Sequence, residues 1–190
     1  MRRPRPPFAT ILLRHDTSAL PQKERRGRRP RPGEPWPQRS WLNDREAELA
    51  ARLAARYHAR SGDWAVILPY SAQIGLVSEL LAGEIGDEDV IARRVATVDS
   101  FQGGEHDTII FGFTVSTPSG HIGFLREVRR SNVAFSRARQ RLILIGDLST
   151  LLNAGDPLFR GMVDNLHEHI RRRRDLRAYR DVMGTLGEDT

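Results

Sequence analysis

WAVILPYSAQIGLVSELLAGEIG (residues 64–86) joins two different periodicities end to end. WAVILPY (64–70) is an unbroken apolar run closing on a proline, the pattern of a strand buried on both faces. SAQIGLVSELLAGEIG (71–86) switches to helical spacing. It puts Ile74, Val77, Leu80 and Leu81 on one side and Gly83 near the end of the helix.

The same alternation continues outward. FATILL (8–13) is apolar and β-branched, and Phe8–Arg14 reads as a first strand. Asn43 or Asp44 caps a helix to about residue 60, with Leu49, Leu53 and Tyr57 four apart. Downstream, RVATV (94–98), TIIFGFTVS (108–116) and RLILIGD (141–147) read as strands. DSFQGGEHD (99–107), TPSGHIG (117–123) and the segment KERRGRRPRPGEPWP (23–37) read as loops. REVRRSNVAFSRAR (126–139) reads as a helix, and residues 148–180 as mostly helical. Strands alternating with helices predict an α/β fold, a parallel sheet with helices on both faces. Ligands of such sheets bind beyond the carboxyl ends of the strands, where PYSAQ (69–73), DSFQGGE (99–105) and GD (146–147) begin.

The chain has 190 residues, 39% of them hydrophobic, enough for one core. It divides into an N-terminal strand with a basic Pro/Arg-rich loop (1–39), a central α/β domain (40–150) and a C-terminal helical extension (151–190). No cysteine occurs, so disulfides and thiolate zinc sites are excluded. No apolar run reaches the roughly 18 residues that cross a bilayer, so no membrane partner and a cytoplasmic location are expected. The net charge of +6 is uneven: residues 1–39 hold 11 basic residues against three acids, leaving the remainder with 19 against 21. The excess positive charge therefore sits in the arm, which suits equally a contact with a phosphate backbone without sequence reading and a simply solvated loop.

Two segments carry chemistry. In DSFQGGE, Gly103 and Gly104 let the backbone approach an anion closely, and Glu105 beside them suits hydroxyl groups such as those of a ribose; taken alone, the segment reads equally as an ordinary strand-to-strand loop with a glycine pair. In the 126–139 segment, Arg130 and Arg137 lie seven apart, about 20° from alignment, and share a helix face. Arg137 and Arg139 diverge, and Arg139 and Arg141 read as structural arginines. No G-x-x-x-x-G-K-[ST] or G-x-G-x-x-G occurs, so the chain has no P-loop of its own. His167 and His169, two apart on a helix, fail metal spacing, and no metal ligand is expected.

SWLNDREAE (40–48), VILPYSAQIGLVSELL (66–81), VATVDSFQGGEHDTIIF (95–111) and IGFLREVRRSNVAFSRARQRLILIGD (122–147) occur together, in this order and spacing. This set resembles the C-terminal RecA-like domain of superfamily 1 helicases, of the type that includes the nonsense-mediated-decay RNA helicase and its bacterial relatives. The resemblance covers roughly residues 40–150. It implies a RecA-like, P-loop-NTPase-type lobe lacking the P-loop itself. By helicase motifs IV, V and VI it implies that Tyr70, Gln73, Asp99 and Ser100 lie toward single-stranded DNA or RNA. Gly103 and Glu105 then lie toward nucleotide, and Arg137 serves as the arginine finger. ATP with Mg2+ is expected to be held mainly by an N-terminal RecA-like lobe, in cis or in trans, so this chain alone is not expected to hydrolyse ATP. The alternative is a non-catalytic nucleic-acid-binding relic. Gly104 departs from the arginine usual in motif V, which removes one basic contact.

Overall fold

A computed structural model describes residues 40–101, 104–117 and 119–187, apart from the Phe124 side chain, and the backbone of residues 11–14 and 23–25. The strands are β1 (Ile11–Arg14), β2 (Lys23–Arg25), β3 (Ser40–Leu42), β4 (Trp64–Leu68), β5 (Val95–Thr97), β6 (His106–Gly112), β7 (Ala138–Gly146) and β8 (Arg177–Ala178). The helices are α1 (Asp44–Ala59), α2 (Ser71–Ile85), α3 (Glu88–Arg94), α4 (Val128–Ser136), α5 (Leu148–Leu152), α6 (Pro157–Arg173) and α7 (Tyr179–Gly187). Six strands form one parallel sheet in the order β5-β4-β6-β7-β1-β8. β2 and β3 form a separate antiparallel pair.

The unbroken apolar runs follow from burial on both faces. On one face Ala65, Ile67, Ile109, Phe111, Leu142 and Leu144 pack under Ala134 of α4 and Phe159, Val163 and Ile170 of α6. Their alternate neighbours Trp64, Val66, Leu68, Ile110, Ile143 and Ile145 pack on the other face against α1, α2 and α3. Within these runs a strand residue pointing either way meets a helix, whereas at the start of β7 Arg139, Gln140 and Arg141 stay exposed.

Local chemistry sets the helix ends. Asn43 caps α1, its side chain accepting the Glu46 amide at 3.2 Å. α2 occupies the expected span, running past Gly83 to Ile85 and stopping at Gly86, whose φ of 63° closes the turn with a hydrogen bond to the Ala82 carbonyl. Val77 and Leu81 of α2 are fully buried, but Leu80 is 36% exposed and lies outside the core stripe.

Four further segments differ from expectation. Lys23–Arg25, read as loop, pairs with Ser40–Leu42; the rest of that loop, like Phe8–Thr10 of the first strand, lies outside the described residues. The strand expected over 108–116 ends at Gly112, and the chain then bends through Thr114 at φ 67°. The helix expected over 126–139 is α4 alone, preceded by a 3-10 turn at Gly123–Arg126, and β7 already begins at Ala138. Glu88–Arg94 forms α3, capped by Asp87, which no apolar periodicity announced.

The sheet continues beyond residue 151. β8 pairs with β1, and α7 lies against α1, where the Tyr179 hydroxyl donates to Glu48 at 3.0 Å and Arg45 sits over its ring.

Phe111 is fully buried and meets Phe113 and Phe135 edge-on, each at 5.1 Å between ring centroids. Phe111→Ala leaves a cavity beneath α4 and is expected to cost about 3–5 kcal/mol in urea denaturation.

Candidate nucleotide and nucleic-acid face

Strand register decides which loops meet. Trp64 pairs with Thr108, and His106 with Ala138, so β4, β6 and β7 start at one edge of the sheet. The residues just before those starts, Asp63, Glu105 and Arg137, therefore converge there. At the opposite edge Leu68 pairs with Thr97, so Tyr70 and Asp99, each two residues further on, leave the sheet together. Residues 98–101 leave the second edge, with Val98 and Phe101 anchored in the core, and residues 104 and 105 lie at the first. Helix α4 runs back alongside them.

Loop and helix are tied at both ends. At the far end Arg130 pairs with Asp99 at 3.3 Å and with Glu127 at 2.9 Å. At the near end the His106 amide donates to the Arg137 carbonyl at 3.0 Å. Between them lies a cavity of about 390 Å³, walled by Val98, Asp99 and Phe101 of the loop and by Arg130, Val133 and Arg137. The Arg137 Nε is shielded from solvent and has no hydrogen-bond partner among the described residues. A buried donor without an acceptor costs about 1–3 kcal/mol, and an anionic oxygen in the cavity fits that donor.

The other expected site residues divide between surface and scaffold. Glu105 is exposed on the same edge as Arg137. Gly103 lies outside the described residues. Asp99 and Ser100 are exposed, and Ser100 is held in a turn by Thr97, hydroxyl to hydroxyl at 2.6 Å. Tyr70 precedes α2 and is 8% exposed, packed against Gly123. Gln73 is fully buried: its amide accepts from the Asn43 N–H at 2.7 Å and donates to the Asn43 carbonyl at 3.0 Å. It joins α2 to the cap of α1 and presents no surface to a ligand.

Arg139 and Arg141 are structural arginines, though on a strand. Between His106 and Thr108 the register of β7 gains one residue, a bulge that frees Arg139 to reach Asp63 and Asp107. Arg141 donates to the Tyr57 hydroxyl and sits over its ring. Asp63, which no sequence motif marked, also meets His106 at 2.6 Å and Arg94 at 3.0 Å. Burial opposes its ionisation, but the His106 hydrogen bond and charge, the Asp107 amide and Arg94 outweigh burial and hold its carboxyl at about 2. No group of three or more His, Asp or Glu side chains placed to hold a metal ion occurs among the described residues. No helix among them is long and apolar enough to cross a membrane.

A family model described as an AAA domain matches residues 3–149. The chain belongs to that family. Among helicases, the AAA domain is similar to DNA polymerase alpha-associated DNA helicase A of Saccharomyces cerevisiae, 38% identical over 91 residues, 48% of this chain and 13% of that protein. DNA-binding protein SMUBP-2 of Mesocricetus auratus is 36% identical over 121 residues, 64% and 11% respectively. Regulator of nonsense transcripts 1 of Dictyostelium discoideum is 33% identical over 131 residues, 66% and 10%. The matched stretches thus span about a tenth of each relative's length. The RecA-like, superfamily 1 helicase resemblance read from motifs IV to VI agrees with these relatives.

Beyond the loop, the AAA domain carries a buried acid. Glu46 is 1% exposed and accepts the Thr114 amide at 2.7 Å. Burial raises its carboxyl to about 8, against the Thr114 hydrogen bond and with the help of the Asp147 charge. Asp147 stays ionised, its burial outweighed by Thr150, Ser149 and Ser116, which lower its pKa. Between about pH 4.5 and pH 8 the folded chain holds a proton on Glu46 that the unfolded chain releases, so stability falls as pH rises through that window. The loss is expected to be several kcal/mol, up to about 5. Urea midpoints at pH 5, 6.5 and 8 should show this decline, and Glu46→Gln should flatten it.

Proposed function

We propose that the chain is the second lobe of a nucleic-acid-dependent helicase ATPase of the cytoplasm, supplying the arginine finger and part of the single-strand track. The observation that carries this is the Arg137 guanidinium, which lines a cavity with its Nε unpartnered among the described residues, on the sheet edge it shares with Glu105.

ATP with Mg2+ supplies the phosphoanhydride that water cleaves, held mainly by a P-loop lobe outside these 190 residues. The role of this chain is positioning and charge. When the two lobes close, Arg137 meets the γ-phosphate and offsets the negative charge that builds on its oxygens, while Glu105 takes the ribose hydroxyls. Gly103 and Gly104 allow the backbone to come close. Fingers of this kind are worth about 10³–10⁵ in rate. On the other edge Tyr70, Asp99 and Ser100 border single-stranded DNA or RNA. Asp99 is paired with Arg130, so its part is to aim the loop, and Gln73 supports that edge from within.

The ties at both ends of loop 98–105 support coupling between the two edges. A shift of Asp99 under nucleic acid moves the segment that ends at Glu105, against a helix that ends at Arg137.

In an assembly carrying a P-loop lobe, Arg137→Ala is expected to lower nucleic-acid-stimulated ATP hydrolysis by 10³-fold or more, with single-strand affinity held within about twofold. Unchanged turnover would remove the finger from Arg137. Fluorescence anisotropy on the chain alone should show weak single-strand binding that falls steeply with salt. The basic arm is tested by changing Arg26, Arg28, Arg29 and Arg31 to Gln, since removing residues 1–39 takes β1 from between β7 and β8. Loss of all binding in that variant, with turnover indifferent to Arg137→Ala, would favour a non-catalytic binding module.

A further inference from the structure

We propose that Asp63 is a positioning residue that sets the separation of Glu105 and Arg137, with His106 as its link to the loop. The proposal rests on the reading of those two residues as a nucleotide half-site.

Asp63 stands in the turn between α1 and β4 and touches no expected ligand. Its two carboxylate oxygens hold different segments. Oδ1 meets the His106 ring at 2.6 Å and Arg94 at 3.0 Å, and Arg94 also donates to the Trp64 carbonyl. Oδ2 accepts the Asp107 amide at 3.2 Å and binds Arg139, whose Nε reaches Asp107 at 3.0 Å. His106 is the residue after Glu105, and Arg139 lies two after Arg137. One carboxylate therefore grips the end of the 98–105 loop and the start of β7 at once. The His106 amide bonded to the Arg137 carbonyl closes the ring of contacts.

The alternative is a cluster that merely caps the sheet edge. The side chains of Asp63, Arg94 and Arg139 are 30%, 29% and 48% exposed, and ion pairs this wet add little to stability. What the cluster fixes is geometry. The β7 bulge turns Arg139 toward Asp63, and the His106 ring fills the space beside Gly104, where an added Cβ would meet its Nε2 at 3.4 Å. Asp63 thus sets where the loop ends relative to the helix that delivers Arg137.

The test is hydrogen exchange on the full chain, comparing Asp63→Asn and His106→Gln with the native protein. His106→Gln cuts only the link to the loop and leaves the two arginines paired, so it stands in should Asp63→Asn unfold. The amides at positions 106 and 137 are expected to exchange at least tenfold faster in the variants, while those of Ile109–Phe111 and Leu142–Ile145 stay within twofold. Unchanged exchange at 106 and 137, or acceleration shared by the core strands, overturns the proposal. In the two-lobe ATPase, Asp63→Asn is expected to lower kcat tenfold or more with little change in KM for ATP. Faster exchange at 106 and 137, with Arg137→Ala leaving turnover intact, retires the nucleotide reading and keeps the clamp. Unchanged exchange, with Arg137→Ala abolishing turnover, retires the clamp alone.

Discussion

The pairing of β6 with β7 is the constraint on which the rest depends. Because these strands are parallel neighbours and both start at the same edge, the loop that enters β6 and the helix that enters β7 must end side by side. The backbone ladder brings them to one edge, and the Asp63 contacts to His106, Asp107 and Arg139 tie the starts of the two strands together there. The bulge then adds one residue to β7, turns Arg139 back toward Asp63, and leaves Arg137 at the end of α4 with its carbonyl on His106. That register puts Glu105, Arg137 and Asp63 at one edge of the sheet.

A second consequence is economy of connection. β5 ends at Thr97 on one sheet edge and β6 starts at His106 on the other, so the eight residues between them connect the two edges. Val98 and Phe101 sink into the core along the way and make the loop part of the packed face. The described residues on either side are paired, Asp99 with Arg130 and His106 with Arg137. These anchors are what the proposed coupling between a nucleic-acid edge and a nucleotide edge rests on.

Much of the fold was legible because burial on both faces leaves a simple trace. WAVIL and LILI are unbroken apolar runs, and each is a strand of the parallel sheet. What the sequence hid has physical reasons. Ala138 and Arg139 look like continued helix, since the residues are good helix formers; strand pairing that begins at His106 and Ala138 overrides that propensity. Leu80 fits the apolar stripe of α2 by spacing, yet it is left part-exposed while Val77 and Leu81 are fully buried. β8 is two residues long and carries an arginine, too little pattern for any periodicity to reveal. At the site, Arg137 and Glu105 were marked by their motifs, while Asp63 was not. A lone acid between a helix and a strand is the commonest of turn residues, and only the register that brings His106 and Arg139 beside it gives it meaning.

The central claim is that Arg137 completes a nucleotide site from across a lobe interface. The most direct measurement is the affinity of an assembled two-lobe protein for ADP–aluminium fluoride, which mimics the phosphoryl group in flight, beside its affinity for ADP. Native protein is expected to bind the mimic at least a hundredfold more tightly than ADP, and Arg137→Ala to abolish that preference without weakening ADP. An Arg137→Ala protein that still prefers the mimic by the same factor would contradict the account.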